Sequence, residues 1–331
     1  MSLLKSLGKN PGGKRLERIL RSPNYRDKAF QNLSHTEQLA EDSSFFKILK
    51  DSLSKSKNVE PSVPIPFVKT DLKHIASEEP VIVWFGHSSY FIRINGKNIL
   101  VDPVFSGNAS PFSFMIKAFK GANEYGVNDM PEIDLLVLTH DHYDHLDYQT
   151  ITRLMPKVKQ VFCALGVGSH LEYWGMNENR ITEFDWWDKH DFFDMEFTAA
   201  PARHFSGRTV VRSKALWCSF ILKTKEHSLY LGGDSGYDSH FKTIGEKYGP
   251  FDIALLECGQ YNMSWPNIHM MPEETVQASI DLKANILFPI HWAKFALSMH
   301  DWDESIRRAV KKAEELNVNI TTPKIGEPVV L

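Results

Sequence analysis

The stretch Thr139-His140-Asp141-His142-Tyr143-Asp144-His145-Leu146 packs three imidazoles and two carboxylates into one short loop directly behind the apolar run Leu135 to Leu138. An imidazole takes a divalent transition metal through one ring nitrogen and a carboxylate supplies oxygen, so this density reads as metal binding. One ion does not need so many ligands, and His140, His142, Asp144 and His145 can be divided between two neighbouring ions. A solvated polar loop is the alternative, and the rest of the chain decides between them.

Further candidate ligands stand downstream, each just past a short apolar, strand-like run. They are His204 in Ala-Pro-Ala-Arg-His-Phe, Asp234 in Tyr-Leu-Gly-Gly-Asp-Ser-Gly, and His291 in Leu-Phe-Pro-Ile-His-Trp. Strand ends are where such ligands converge. The loop, a separate His, an Asp after Gly-Gly and a late His, in that order, resemble the metallo-β-lactamase superfamily of two-metal hydrolases.

The resemblance narrows on Trp84-Phe85-Gly86-His87-Ser88, Asp102-Pro103-Val104-Phe105-Ser106, Ala109-Ser110-Pro111, His140 to Tyr148, Asp185-Trp186-Trp187, Gly232 to Tyr237, and His291-Trp292 with Phe295-Ala296-Leu297. These strings look like the N-acyl phosphatidylethanolamine-hydrolysing phospholipase D family and cover nearly all of residues 81 to 297. That likeness implies a cofactor of two Zn2+ ions, with Fe or Mn as alternatives on the same His and Asp ligands. It also implies a phosphodiester substrate of phospholipid type. Two departures stand out. The segment Gly259 to His269 looks about two residues shorter than in those phospholipases, and Ser264 stands where a basic residue is usual.

Spacing and resemblance together suggest roles. His140 and His142, alternating in an extended loop, point the same way and with His204 hold the first ion; Asp144, His145 and His291 hold the second, and Asp234 bridges both. A water between the ions then becomes the hydroxide nucleophile. Asp144 and His269 are the candidates for the catalytic step, with His269, ahead of the helix-like run from Pro272, placed to protonate a leaving group. His87 and Asp102 follow strands flanking the metal loop and suit outer positions that orient a ligand imidazole, a satisfied structural role being the alternative. Arg208, four residues after His204, suits a phosphate oxygen; a surface ion pair is the commoner fate. Sugar-phosphate lactonase activity is the runner-up function, and a non-catalytic metal-binding protein is the reading from a different class.

Composition bounds the remainder. The chain has 331 residues, 42% of them hydrophobic, enough to bury a large core, and 38 Lys and Arg against 41 Asp and Glu leave a net charge of −3. No global basic field exists to hold nucleic acid, so the expected partner is a small-molecule or phospholipid substrate. Nothing speaks to the oligomeric state. Cys163, Cys218 and Cys258 lie inside apolar runs and read as buried thiols in a reducing compartment. No signal-peptide-like start and no span of 18 apolar residues is visible, which predicts a cytoplasmic protein.

Asn95-Gly96 between two β-rich runs predicts a hairpin, and strands are expected near 81–85, 90–94, 98–101, 135–138, 158–165, 196–200, 216–223, 228–232, 252–257 and 285–290. Helices fit 147–155, 238–247, 272–283 and 302–315. Strands that first meander and later alternate with helices suit two stacked sheets, and the resemblance implies an αββα sandwich of the α/β (α+β) class with an N-terminal helical extension. Residues 1–75 read as a helical and extended arm and 76–331 as the catalytic domain. Residues 22–59 are expected to be helical, opened by a capping box at Ser34 to Glu37, and Pro61 to Pro66 to be an extended linker. Lys5, Lys9, Lys14, Arg15, Arg18 and Arg21 make the start of the arm basic. Such an arm either docks on its own domain or touches anionic lipid at the inner face of the membrane.

Overall fold

The computed structural model describes residues 3–40, 43, 48, 50 and 55–331. Two sheets dominate. The first opens as a meander of β3 (Val81–Trp84), β4 (Tyr90–Ile94) and β5 (Lys97–Val101), then continues in parallel through β6 (Ile133–Leu138), β7 (Val158–Ala164) and β8 (Ile181–Phe184). Its free edge is closed by β15 (Pro328–Val330), paired antiparallel to β3. Asn95 and Gly96 both take positive φ and pair Ile94 with Lys97, as the two-residue turn requires.

The second sheet repeats that plan. Strands β9 (Lys189–Phe192), β10 (Met195–Ala200), β11 (Ser219–Lys223) and β12 (Ser228–Leu231) meander, and β13 (Phe251–Glu257) and β14 (Ala284–Ile290) follow in parallel. Between the sheets lies one continuous apolar core, in which β6 is buried at every position, including Leu135, Leu136 and Val137. A strand covered on both faces has no need of alternation, which is why Leu135 to Leu138 read as an unbroken apolar run. A second cluster joins the outer face of the second sheet to the helices His240–Tyr248, Pro272–Asp281 and Glu304–Leu316. The observed architecture is the αββα sandwich.

Strand direction fixes where the chemistry gathers. Within the first sheet β3, β5 and β6 run parallel, and within the second β10, β12, β13 and β14 do. Their carboxyl ends therefore lie along one edge of each sheet. Every candidate ligand and orienting residue found above follows one of these ends.

The amino-terminal region departs from expectation. Residues 22–40 are not helical. Tyr25–Arg26 (β1) pairs with Ala29–Phe30 (β2), and the run that holds Ser34 and Glu37 is irregular, so it caps no helix. Short-range capping chemistry was outcompeted there by contacts with the body, such as the Asn32 bonds described below. Of the rest of that expected helix, residues 41, 42, 44–47, 49 and 51–54 lie outside the described residues. Before them, helix Gly13–Arg21 docks through Arg15, whose guanidinium bonds Glu172 at 2.8 Å and Glu183 at 2.7 Å, and through Arg18 with Asp188 at 3.0 Å. Strands β8, β9 and β15 and the helix Gly168–Trp174 carry no strong pattern and were not foreseen. All three cysteines are free and buried. Among the described residues no helix is long and apolar enough to cross a membrane.

Candidate metal centre

The loop after β6 and the turns after β10, β12 and β14 bring their ligand candidates to one point. His140 Nε2 lies 3.0 Å from His142 Nδ1, which lies 3.2 Å from His204 Nε2; Asp234 Oδ2 is 3.8 Å and 3.7 Å from the His140 and His204 nitrogens. One donor atom from each of these four residues falls within 4.8 Å of the others. A second group joins His87, Asp144, His145 and His291 on the same criterion. Asp234 touches both groups, because its Oδ1 is 3.2 Å from His145 Nε2 and 3.1 Å from His291 Nδ1. The structure thus brings His140, His142 and His204 together on one side of Asp234, and Asp144, His145 and His291 on the other, with His87 beside the second set.

The site's own chemistry fits cations. Three imidazole nitrogens converge at the first group, and buried neutral imidazoles cannot satisfy one another there all at once. Burial holds His140 and His204 well below the ordinary imidazole range, leaving them in the neutral form a metal requires. At the second group His145 Nε2, His291 Nε2 and Asp234 Oδ1 are buried and, although Asp234 Oδ1 approaches His145 Nε2 to 3.2 Å, none of the three makes an aligned hydrogen bond. Orphaned buried polar atoms are costly, and a bound ion removes that cost. Burial opposes charge on His145, yet Asp234 and Asp144 beside it hold its pKa well above the ordinary value, so this cluster of carboxylates demands positive charge.

Outer contacts set each ligand's orientation. Asp102 Oδ2 lies 2.8 Å from His145 Nδ1 and its carboxylate also accepts from the Thr139 backbone N–H and hydroxyl at 2.9 and 2.5 Å, which turns His145 Nε2 toward the cluster. His87 Nε2 lies 2.8 Å from Asp144 Oδ2, Ser88 Oγ 2.9 Å from His291 Nδ1, and the Ile268 carbonyl 2.9 Å from His204 Nδ1. The turns carrying His87 and His291 lock together, since His291 N–H donates to His87 O at 2.9 Å and His87 N–H to Trp292 O at 2.8 Å. His87, Asp102 and His291 all take positive φ, at 54°, 40° and 68°. Each such non-glycine residue costs about 1–3 kcal/mol, a strain that surrounding structure holds at functional sites. Glycines make the Asp234 turn possible: a Cβ on Gly232 would meet the Leu255 carbonyl at 2.3 Å, and one on Gly236 the Asn267 carbonyl at 1.9 Å.

His269 reaches the same cavity. Its Nδ1 lies 3.2 Å from Glu257 Oε1, at the end of β13, and its ring stacks 5.3 Å from that of His291. Burial pushes the Glu257 carboxyl up to about 7. The pocket over the metal groups has a volume of about 520 Å3 and apolar walls that include Leu39, Phe205, Trp265 and Leu297, with His142, Asp144, Asp234 and His269 at its base.

Arg208 is the correction. Its guanidinium is buried and spent on backbone carbonyls, donating to Asp141 O at 2.8 Å, to Leu146 O at 2.7 Å and to Ser6 O at 2.8 and 3.2 Å, with Tyr143 and Trp174 rings against it. It clamps the metal loop: the group is buried, and four of its five N–H donors are spent on these carbonyls. Sequence reasoning also missed His170, which joins Asp141 Oδ2 at 3.1 Å to the Lys9 N–H at 3.0 Å, and Asn32, whose side chain pairs with both the N–H and C=O of His204. Thus Ser6, Lys9 and Asn32 of the arm all bear on the loops that hold the ligands. Nothing in their spacing signals it.

Known proteins place this arrangement. A family model described as the β-lactamase superfamily domain matches residues 97–292. The chain belongs to that superfamily. It is 36% identical over 313 residues to an uncharacterised protein of Mycobacterium tuberculosis, covering 93% of this chain and 84% of that one. It is also 28% identical over 299 residues to N-acyl-phosphatidylethanolamine-hydrolyzing phospholipase D 1 of Caenorhabditis elegans, covering 83% and 82%. Among solved structures, Igni18, a metallo hydrolase of the archaeon Ignicoccus hospitalis, superposes with a TM-score of 0.59 at 21% identity, covering 76% of this chain and 98% of its own.

Proposed function

We propose that this chain is a metal-dependent hydrolase that cleaves a phosphodiester bearing an apolar substituent, in the manner of a phospholipase D acting on N-acyl phosphatidylethanolamine-like lipids. The observation that carries the reading is the pair of ligand groups sharing Asp234 at the base of a 520 Å3 pocket with apolar walls. Similarity to the worm phospholipase over most of both chains supports the substrate class.

His140, His142 and His204 would hold one ion, Asp144, His145 and His291 the other, with Asp234 between them. When bound, two such cations supply Lewis acidity and acidify water at neutral pH. Zinc suits these ligands, and iron or manganese would also be accepted by them. The chain's residues do the rest. Asp102 and the Ile268 carbonyl keep the His145 and His204 rings facing inward, His87 holds the Asp144 carboxylate, and the apolar walls exclude water and receive the substrate's apolar part. His269, oriented by Glu257, is placed at the pocket base to give a proton to the departing alcohol oxygen.

Opening a sugar-phosphate lactone would use the same centre. The separating test offers an aryl phosphodiester and an aliphatic lactone to the same metal-loaded sample. Preference for the diester supports the proposal; turnover of the lactone alone overturns it.

A further inference from the structure

Resting on the phosphodiester reading above, we infer that Arg212, tethered by Gln38 of the amino-terminal segment, is the residue that recognises the substrate's negative charge. Among the described residues lining the metal pocket, Arg212 is the one Lys or Arg side chain. Its guanidinium carbon sits 5.3 Å from the centre of the Phe205 ring, and that ring packs 4.6 Å from His142 and 4.9 Å from His204. Arg212 is therefore stacked one ring away from the first ligand group, on the solvent side.

Its tether comes from outside the superfamily domain. Arg212 Nη1 donates to Gln38 Oε1 at 2.7 Å. A guanidinium has five N–H donors, and no other hydrogen bond occupies this one among the described residues, so the remaining fork is available for a phosphate or carboxylate. Gln38 also lines a neighbouring cavity of about 460 Å3, built largely from residues 26–38, that shares His204 and Phe205 with the metal pocket. The two cavities differ in character: the metal pocket is walled by Leu39, Trp265 and Leu297, the other by Gln31, Asn32, Ser34 and Thr36. Gln38 lines both cavities, and Arg212, bonded to it, lines the metal pocket beside that junction. An amphiphilic anion would lay its apolar part along the first, its polar end toward the second, and its charge on Arg212. The clamp Arg208 does not serve in this way, because its guanidinium is buried outside the pocket lining, with four of its five donors on backbone carbonyls.

The test uses the full-length, metal-loaded chain and two readouts. First, binding of inorganic phosphate is measured by calorimetry for the parent, Arg212→Gln, Arg212→Lys and Gln38→Leu. Loss of one charge-assisted contact predicts a roughly 10-fold weaker affinity in Arg212→Gln, with partial recovery in Arg212→Lys and a smaller loss in Gln38→Leu. Second, the ratio of kcat/KM for an anionic aryl phosphodiester to that for an uncharged aryl ester is expected to fall about 10-fold in Arg212→Gln, through KM and not kcat. Unchanged phosphate affinity, or equal losses on charged and uncharged substrates, overturns the inference. Unchanged affinity in Gln38→Leu alone overturns the tether. A parent enzyme that binds phosphate through Arg212 but turns over no diester would leave this recognition standing and sink the phosphodiesterase reading.

Discussion

Asp102 and His145 form a buried pair, Oδ2 to Nδ1 at 2.8 Å, in which the carboxylate fixes both the ring's tautomer and its aim. Asp102→Asn keeps the shape and removes the charge that favours a proton on Nδ1. Outer contacts of this kind are typically worth 10–100-fold in metal affinity. Competition against a chelator is expected to show a loss of that order, with Asp102→Ala losing more; an unchanged affinity would deny His145 its place among the ligands.

Arg208 predicts a loss of a different kind. Arg208→Met removes the clamp between Ser6, Asp141 and Leu146 and takes the guanidinium donor from the two buried carbonyls of Asp141 and Leu146, at about 1–3 kcal/mol each before relaxation. Removing residues 1–9 strips Ser6 O and the Lys9 backbone from Arg208 and His170 in turn. Both changes are expected to lower the denaturation midpoint and the retained metal together. A truncated chain with full metal content and an unshifted midpoint would show that the arm does not support the loop.

What was legible and what was not follows the range of the interactions. The loop Thr139 to Leu146 could be read because its donors are adjacent in the chain, and His204, Asp234 and His291 because each stands just past an apolar strand. Parallel strands with common carboxyl ends then do the gathering. Arg208 was misplaced because spacing from His204 says nothing of which way a side chain turns, and the backbone carbonyls that capture it lie more than 60 residues away. Asn32 and Lys9 act through contacts more than 150 residues long in sequence, and Asn32 does so from a segment whose Ser-x-x-Glu pattern pointed locally to a helix. Local propensity was overridden there by docking.

His269 is expected to act in the proton transfer. His269→Gln keeps a hydrogen-bonding side chain but cannot cycle a proton near neutral pH, and general acids contribute about 10²–10⁴-fold. The loss should fall on kcat, and it should shrink for a diester whose leaving phenol is acidic enough to depart unassisted. Equal losses on good and poor leaving groups would remove His269 from that step.

Lys294 gives the fold a pH dependence. It is buried, donating to Val104 O at 2.8 Å and Phe85 O at 3.2 Å, and burial pushes its pKa down to about 7. The ordinary value near 10.4 returns on unfolding. Between about pH 7 and 10 the unfolded chain therefore binds the extra proton, and this group's contribution to stability rises with pH, by on the order of a few kcal/mol in all. Below pH 7 both states are protonated and the contribution is flat. Urea midpoints of the parent and Lys294→Met, compared from pH 6.5 to 9, should diverge in slope above pH 7 in favour of the parent. Parallel profiles would contradict a neutral buried amine.

The most direct test of a shared two-ion centre is metal content and aryl phosphodiester turnover measured on one sample, with His142→Ala beside it. We expect about two ions per chain in the parent and turnover that tracks their occupancy. In the variant, which loses a ligand of the first group alone, we expect about one ion and no turnover. One ion per parent chain, or diester turnover that survives in His142→Ala, would contradict the assignment.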